Sequence, residues 1–232
     1  MKKEASVWLY LLFALTMLYP VGVILMTWFG YSFELISISA FAIAIAALSV
    51  YIVIRTRKNT FENVAAKVLS AITAPLSLIN AVFCSFECPQ IWVIVSVWIS
   101  VGCSGYLALK HGKPFALKLI SLVLSVLMAL PIGFISFVML SFGNVGRNTI
   151  VQTIESPNSQ YYAQVIDSDH GAMGGDTIVD VHKKSKINLI LFRIEKIPQR
   201  VCFGDWGEWQ DLQIYWKDDS CLVINSVEYA IE

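Results

Sequence analysis

Five long apolar stretches limit this chain more than any other feature: Val7–Phe29, Leu35–Ile54, Val64–Phe83, Ile91–Leu109 and Phe115–Leu140. A helix needs about 20 apolar residues to cross the hydrocarbon layer of a membrane. Lipid offers no partner for a backbone N–H or C=O, so each stretch is expected to be a helix that bonds within itself. Pro20, Pro75 and Pro131 fall inside these spans and predict kinks. Lys67 lies within one turn of the third span's start, where its long stem lets the ammonium reach the interface. The first run follows Lys2 and Lys3 like a signal peptide. It exceeds the roughly 7–15 apolar residues of a cleavable one, and no small-residue cleavage site follows, so a retained span is expected.

The connections alternate in charge. Lys2 and Lys3 precede the first span, and "GYSFE" after it holds no Lys or Arg. "RTRKNTFEN" then carries Arg55, Arg57 and Lys58, "CSFECPQ" carries only Glu87, and "KHGK" carries Lys110 and Lys113. Basic short loops stay cytoplasmic. This places the N-terminus in the cytoplasm and both "CSFECPQ" and the C-terminal region outside. An even number of spans would break the alternation.

Composition divides the chain in the same place. Only 15% of the 232 residues are charged and 56% are hydrophobic, where soluble domains carry about a quarter charged. Residues 1–142 are expected to form the five-span transmembrane domain, and residues 143–232, of ordinary polarity, a second domain. The net charge of zero gives no footprint for nucleic acid.

The second domain reads as short strands between turn signals. "NTIVQTIESPNSQYYAQVIDSD" gives two strands about Ser156-Pro157-Asn158, and "GGDTIVDVHKK", "INLILFRIEK", "LQIYWKDD" and "SCLVINSVEYAI" add four more. The expected fold is therefore an α-helical bundle of five spans followed by a small antiparallel all-β domain of six or seven strands, a compact β-sandwich.

"ESPNSQYYAQVI", "GGDTIVDV" and "LQIYWKDDSCLVINSVEYAI" together resemble a family of extracytoplasmic β domains of Gram-positive bacterial membrane proteins. That family carries S-P-D-G-K-Y-x-A, a G-G-A-T-like turn before a V-x-V strand, and a closing W-x-D-[ND]-[ST]-x-V-x-I-N-G hairpin. The similarity covers about the last 75 residues. This chain has Asn158-Ser159 for the usual Asp-Gly, and Ser226 where glycine follows Ile-Asn. The resemblance implies a β domain, surface location and a bacterial plasma membrane; it implies no reaction.

Three groups of residues carry candidate chemistry. Asp167, Asp169, His170 and Asp176 in "DSDHGAMGGDT" offer oxygen and imidazole ligands for a divalent ion, but Asp and Gly also suit a hairpin turn for backbone reasons alone, and the turn is the stronger reading. Trp206, Trp209 and Trp216 beside Asp205 and Glu208 are ligand-binding candidates, set against core packing or interface anchoring. Cys84, Cys88, Cys202 and Cys221 all fall on the expected outer side, as two possible disulfides or as a thiol relay. The C-x₃-C spacing has no neighbouring base to stabilise a thiolate, which argues against redox catalysis.

The span centres hold no charged residue, which weighs against a transport pathway. The expected protein is thus non-enzymatic and needs no cofactor. Its helices anchor an extracytoplasmic β domain that binds a ligand or another membrane or surface protein, in an accessory, sensor or immunity role. A small transporter or channel-like component is the alternative, and a membrane thiol oxidoreductase comes third. A polar track through the bundle would reverse the first two.

Overall fold

The computed structural model describes residues 2–58, 60–88, 90–142, 147–171 and 174–231. Among them are five helices long and apolar enough to cross a membrane: α1 (Lys2–Trp28), α2 (Ile38–Thr56), α3 (Val64–Glu87), α4 (Ile91–His111) and α5 (Phe115–Phe142). The protein is an integral membrane protein. Each internal proline sits within a continuous helix.

Local chemistry sets the helix starts. Ser37 caps α2 by accepting from the Ala40 N–H at 3.2 Å, and Asn63 caps α3 by accepting from Ala65 at 2.9 Å. Basic residues of the connections meet helix C-termini, where carbonyls lack intrahelical donors. The Lys110 ammonium donates to the Thr56 carbonyl at 2.8 Å and also to that of Arg57, and Lys118 donates to Leu109 at 2.6 Å. Two boundaries differ from expectation. α2 begins at Ile38 rather than Leu35, because residues 31–35 form a strand. α3 runs on to Glu87, so most of "CSFECPQ" is the last turn of a helix and Cys88 is its C-cap.

The bundle's contacts join like ends. Tyr10 meets Asn63, Phe61 packs on His111 with ring centroids 4.8 Å apart, and the Lys113 N–H reaches the Lys67 carbonyl. Toward the other end of their helices, Ser85 meets Ser136 at 3.3 Å. Neighbours α1 and α3, α3 and α5, and α2 and α4 therefore run parallel, as successive single crossings require. The basic connections collect at one end.

A second compact unit holds Met26–Glu34 and residues 143–232. The expected domain start at Gly143 lies outside the described residues. The unit has ten described strands rather than six or seven, arranged in three antiparallel sheets. The largest has the order β2 (Arg147–Glu155), β3 (Tyr161–Asp169), β4 (Gly175–Lys183), β7 (Gln199–Asp205). A second has β8 (Ile214–Asp218), β9 (Cys221–Ile224) and β10 (Val227–Ala230) in sequence. The third places β6 (Phe192–Lys196) between β5 (Lys186–Asn188) and β1 (Tyr31–Leu35).

Alternation builds the core. Ala163, Val165, Val179 and Val181 point from the four-stranded sheet toward Leu222, Ile224 and Ile231, forming the apolar filling of a small sandwich. Phe33 of β1 stacks on Phe192 of β6 at 4.5 Å, which fixes the strand from the first connection within this unit. Hairpin β9–β10 turns on Asn225 and Ser226, both with positive φ (47° and 68°), the geometry of a two-residue primed turn.

Candidate functional site

Residues directly opposite one another in a sheet share a face. The register pairs Glu155 with Tyr162 and Thr153 with Gln164, then Tyr162 with His182 and Gln164 with Asp180, and finally Asp180 with Arg200. These side chains therefore form two polar rows across the outer face of the four-stranded sheet, opposite its apolar core.

The rows are held tightly. The Arg200 guanidinium donates to both oxygens of Asp180, at 3.0 and 3.2 Å, and Asp180 is only 7% exposed. This hydrogen bonding raises the Arg200 pKa. Tyr162 and His182 stack face to face, 4.8 Å between centroids and 5° between planes. Burial pushes the Tyr162 phenol up and the His182 imidazole down; Glu195 adds to the first shift and, with Asp180, opposes the second. Lys184 pairs with Glu155 at 2.7 Å, and that bond holds the carboxyl below its ordinary value.

An open cleft of about 460 Å³ lies against these rows. Thr153, Glu155, Tyr162 and Gln164 form its floor, the end of β4, the turn after it and the start of β5 supply Lys183, Lys184 and Lys186, and Glu195 of β6 also lines it. Ammonium groups, carboxylates, hydroxyls and an amide converge there. That chemistry suits recognition of a polar ligand with an anionic group. The sequence signal for it was "HKKSK", a run of cations at a turn, which the reading of aromatic and acidic clusters passed over.

The residues singled out from sequence do not assemble into one place. Trp209 and Trp216 pack against the sandwich core, the Trp216 indole donating to the Ile154 carbonyl at 3.1 Å, whereas Trp206 is exposed beside Gly175. Asp205 pairs in register with Asp176, and Glu208 lies over Gly204. In the β3–β4 turn, Asp169 accepts from the Gly171 N–H at 2.7 Å and the Ser168 hydroxyl meets His170 at 2.9 Å. His170 lies 3.8 Å from Asp176. Among the described residues no three His, Cys, Asp or Glu side chains are grouped to hold a metal ion.

All five cysteines are free thiols. Cys84 is fully buried in the last turn of α3, Cys88 is half-buried at its C-cap with its N–H bonding the Cys84 carbonyl at 3.0 Å, and the two sulfurs are not joined. Cys202 pairs in register with Val179 of one sheet, and Cys221 with Ala230 of another. Burial raises both thiol pKa values, with acidic neighbours Glu208 and Glu228 adding to the effect.

The helical unit holds its own polar stripe. Ser70, Thr73, Ser77 and Asn80 recur at helical spacing on the buried face of α3. The three hydroxyls donate to carbonyls of their own helix at 2.7–2.9 Å, and Asn80 donates to the Thr16 carbonyl of α1 at 2.5 Å. Small hydroxyl residues satisfied in this way permit close helix contact. They form a packing seam. Compared with protein-family models, curated proteins and solved structures, the chain matches none.

Proposed function

We propose that this is a non-enzymatic protein of a bacterial plasma membrane. Its five helices present the β unit outside the cell for binding a ligand or a partner, in an accessory, sensor or immunity role. The observation that carries this is the cleft on the outer sheet face, where a rigid sandwich positions opposed charges around about 460 Å³ of open space. The orientation rests on Arg55, Arg57, Lys58, Lys110 and Lys113, gathered in the connections at one end of the bundle. The first connection, which lacks Lys and Arg, supplies a strand to the β unit, as expected if both lie outside.

The resemblance to Gram-positive extracytoplasmic domains gains support from the backbone. Ser159 and Ser226, the two positions where that family carries glycine, have φ of 57° and 68°. Glycine adopts that region without strain. Against transport stands the α3 seam, whose Ser70, Thr73 and Ser77 hydroxyls are spent on carbonyls of their own helix. Against thiol oxidation stand a buried Cys84 and outer thiols with raised pKa values, since the thiolate is the reactive form.

Co-purification with the full-length protein from its native membrane tests the reading. A partner or ligand recovered with the wild type should be lost, by about tenfold or more, from a Tyr162→Ala/Lys184→Glu variant, since two anchoring contacts are worth several-fold each. Unchanged recovery would refute the cleft. For orientation, an impermeant thiol reagent should label a cysteine placed at Ser159 and spare one at Lys58.

A further inference from the structure

The hairpin joining β5 to β6 has an unusual tip. Turns in water-facing hairpins favour Gly, Asn, Asp or Ser, for their backbone freedom and local hydrogen bonding. Here the tip is Leu189-Ile190-Leu191, closed by the Leu189 N–H bonding the Phe192 carbonyl at 2.7 Å. Ile190 is 96% exposed, and Ile187, Leu189 and Leu191 are exposed with it. Around this tip the chain is basic: between residues 182 and 197 stand Lys183, Lys184, Lys186, Arg193 and Lys196, and a single acid, Glu195.

Connectivity says where this hairpin is tethered. β6 neighbours β1, and β1 starts three residues after α1 ends and stops three residues before α2 begins. Three extended residues reach only about 10 Å. Covalent connectivity alone therefore keeps each end of β1 within that reach of the helix that adjoins it in the chain. Exposed Trp28, Phe29 and Tyr31 mark the same junction with residues that favour a membrane interface.

We propose that the β5–β6 hairpin inserts Leu189, Ile190 and Leu191 into the leaflet beside α1 and α2, with Lys186 and Arg193 on the headgroups of anionic lipids. An apolar tip with a cationic collar is the pattern that binds an anionic interface by burial and charge together. Insertion also covers an aliphatic patch that would otherwise face water in every copy of the protein. The inserted hairpin restrains the β unit at the membrane, and Lys186, which also borders the cleft, is shared between the two surfaces.

The test uses the full-length protein reconstituted in phosphatidylcholine vesicles, with and without phosphatidylglycerol. A photo-crosslinking phenylalanine derivative replaces Ile190 in one sample. In another it replaces Asp211, an exposed residue beyond the turn that Trp209 anchors near the start of β4. Irradiation should give lipid adducts on the 190 peptide and essentially none on the 211 peptide. Lys186→Gln and Arg193→Gln should each lower the inserted-to-free ratio by roughly fivefold in anionic vesicles. Equal lipid labelling at both positions, or protein–protein adducts at 190, would overturn the insertion. Adducts indifferent to phosphatidylglycerol would overturn the headgroup assignment.

Discussion

The two units hide opposite things. In the helical unit, the outward faces of α5 and α1 are aliphatic and aromatic, while Thr16, Ser49, Ser70, Thr73, Ser77, Asn80 and Ser100 are buried. In the β unit, valine, alanine and leucine fill the inside, and lysines and carboxylates pair on the outside. Each unit suits its solvent. Lipid gives no hydrophobic reward for burying leucine, so helices meet through small residues and short polar contacts. Water gives that reward, and the sandwich takes it.

The sharpest way to break the contrast is to put a charge where the β unit keeps its apolar filling. Val179→Asp, at a fully buried position, should cost about 4 kcal/mol or more, enough to unfold the unit. Protease resistance of the C-terminal region should vanish while helix content from the spans persists. The matching change in the other unit is milder. Asn80→Ala removes the bond to the Thr16 carbonyl and should cost about 1 kcal/mol, read as a lowered thermal midpoint in detergent.

A smaller effect of opposite sign is expected in the β9–β10 turn. Ser226→Gly should stabilise the β unit by about 0.5–1 kcal/mol, because a left-handed φ strains any residue with a Cβ. Denaturant unfolding followed by the β-unit signal measures it. The last expectation is pH dependence. Burial lowers the His182 pKa below its ordinary 6.5, so the folded unit binds this proton less readily than the unfolded chain. Its contribution is full above pH 6.5 and is lost as the pH falls through the depressed folded value. His182→Phe should keep a ring against Tyr162 and flatten that slope; a slope that persisted would assign the titration elsewhere.

Much of this was legible in the residues, and for physical reasons. The spans read clearly because hydrocarbon tolerates so few alternatives. β2, β3, β4 and β8 read from alternation and turn residues, but "INLILFRIEK" and "SCLVINSVEYAI", each read as one run, are hairpins, and β7 (Gln199–Asp205) was not read at all. Nor was β1, because five residues of "YSFEL" carry too little pattern to reveal a partner far along the chain. The cleft was hidden for a related reason: Glu155, Tyr162 and Lys184 are brought together by register, which no local window contains. "CSFECPQ" looked like a loop because a charged residue and a proline interrupt the apolar run, yet α3 continues to Glu87 and Cys88 caps it.

The strand borrowed from the first connection also has a consequence for the order of events during synthesis. Ser32 meets Glu195, 163 residues further along the chain. At ribosomal speeds of about 5–20 residues per second, β1 emerges roughly ten to thirty seconds before its neighbour exists. Until then its backbone donors and acceptors stand open between two newly inserted helices. The β unit is thus begun at one end of translation and completed near the other, with four membrane crossings made in between.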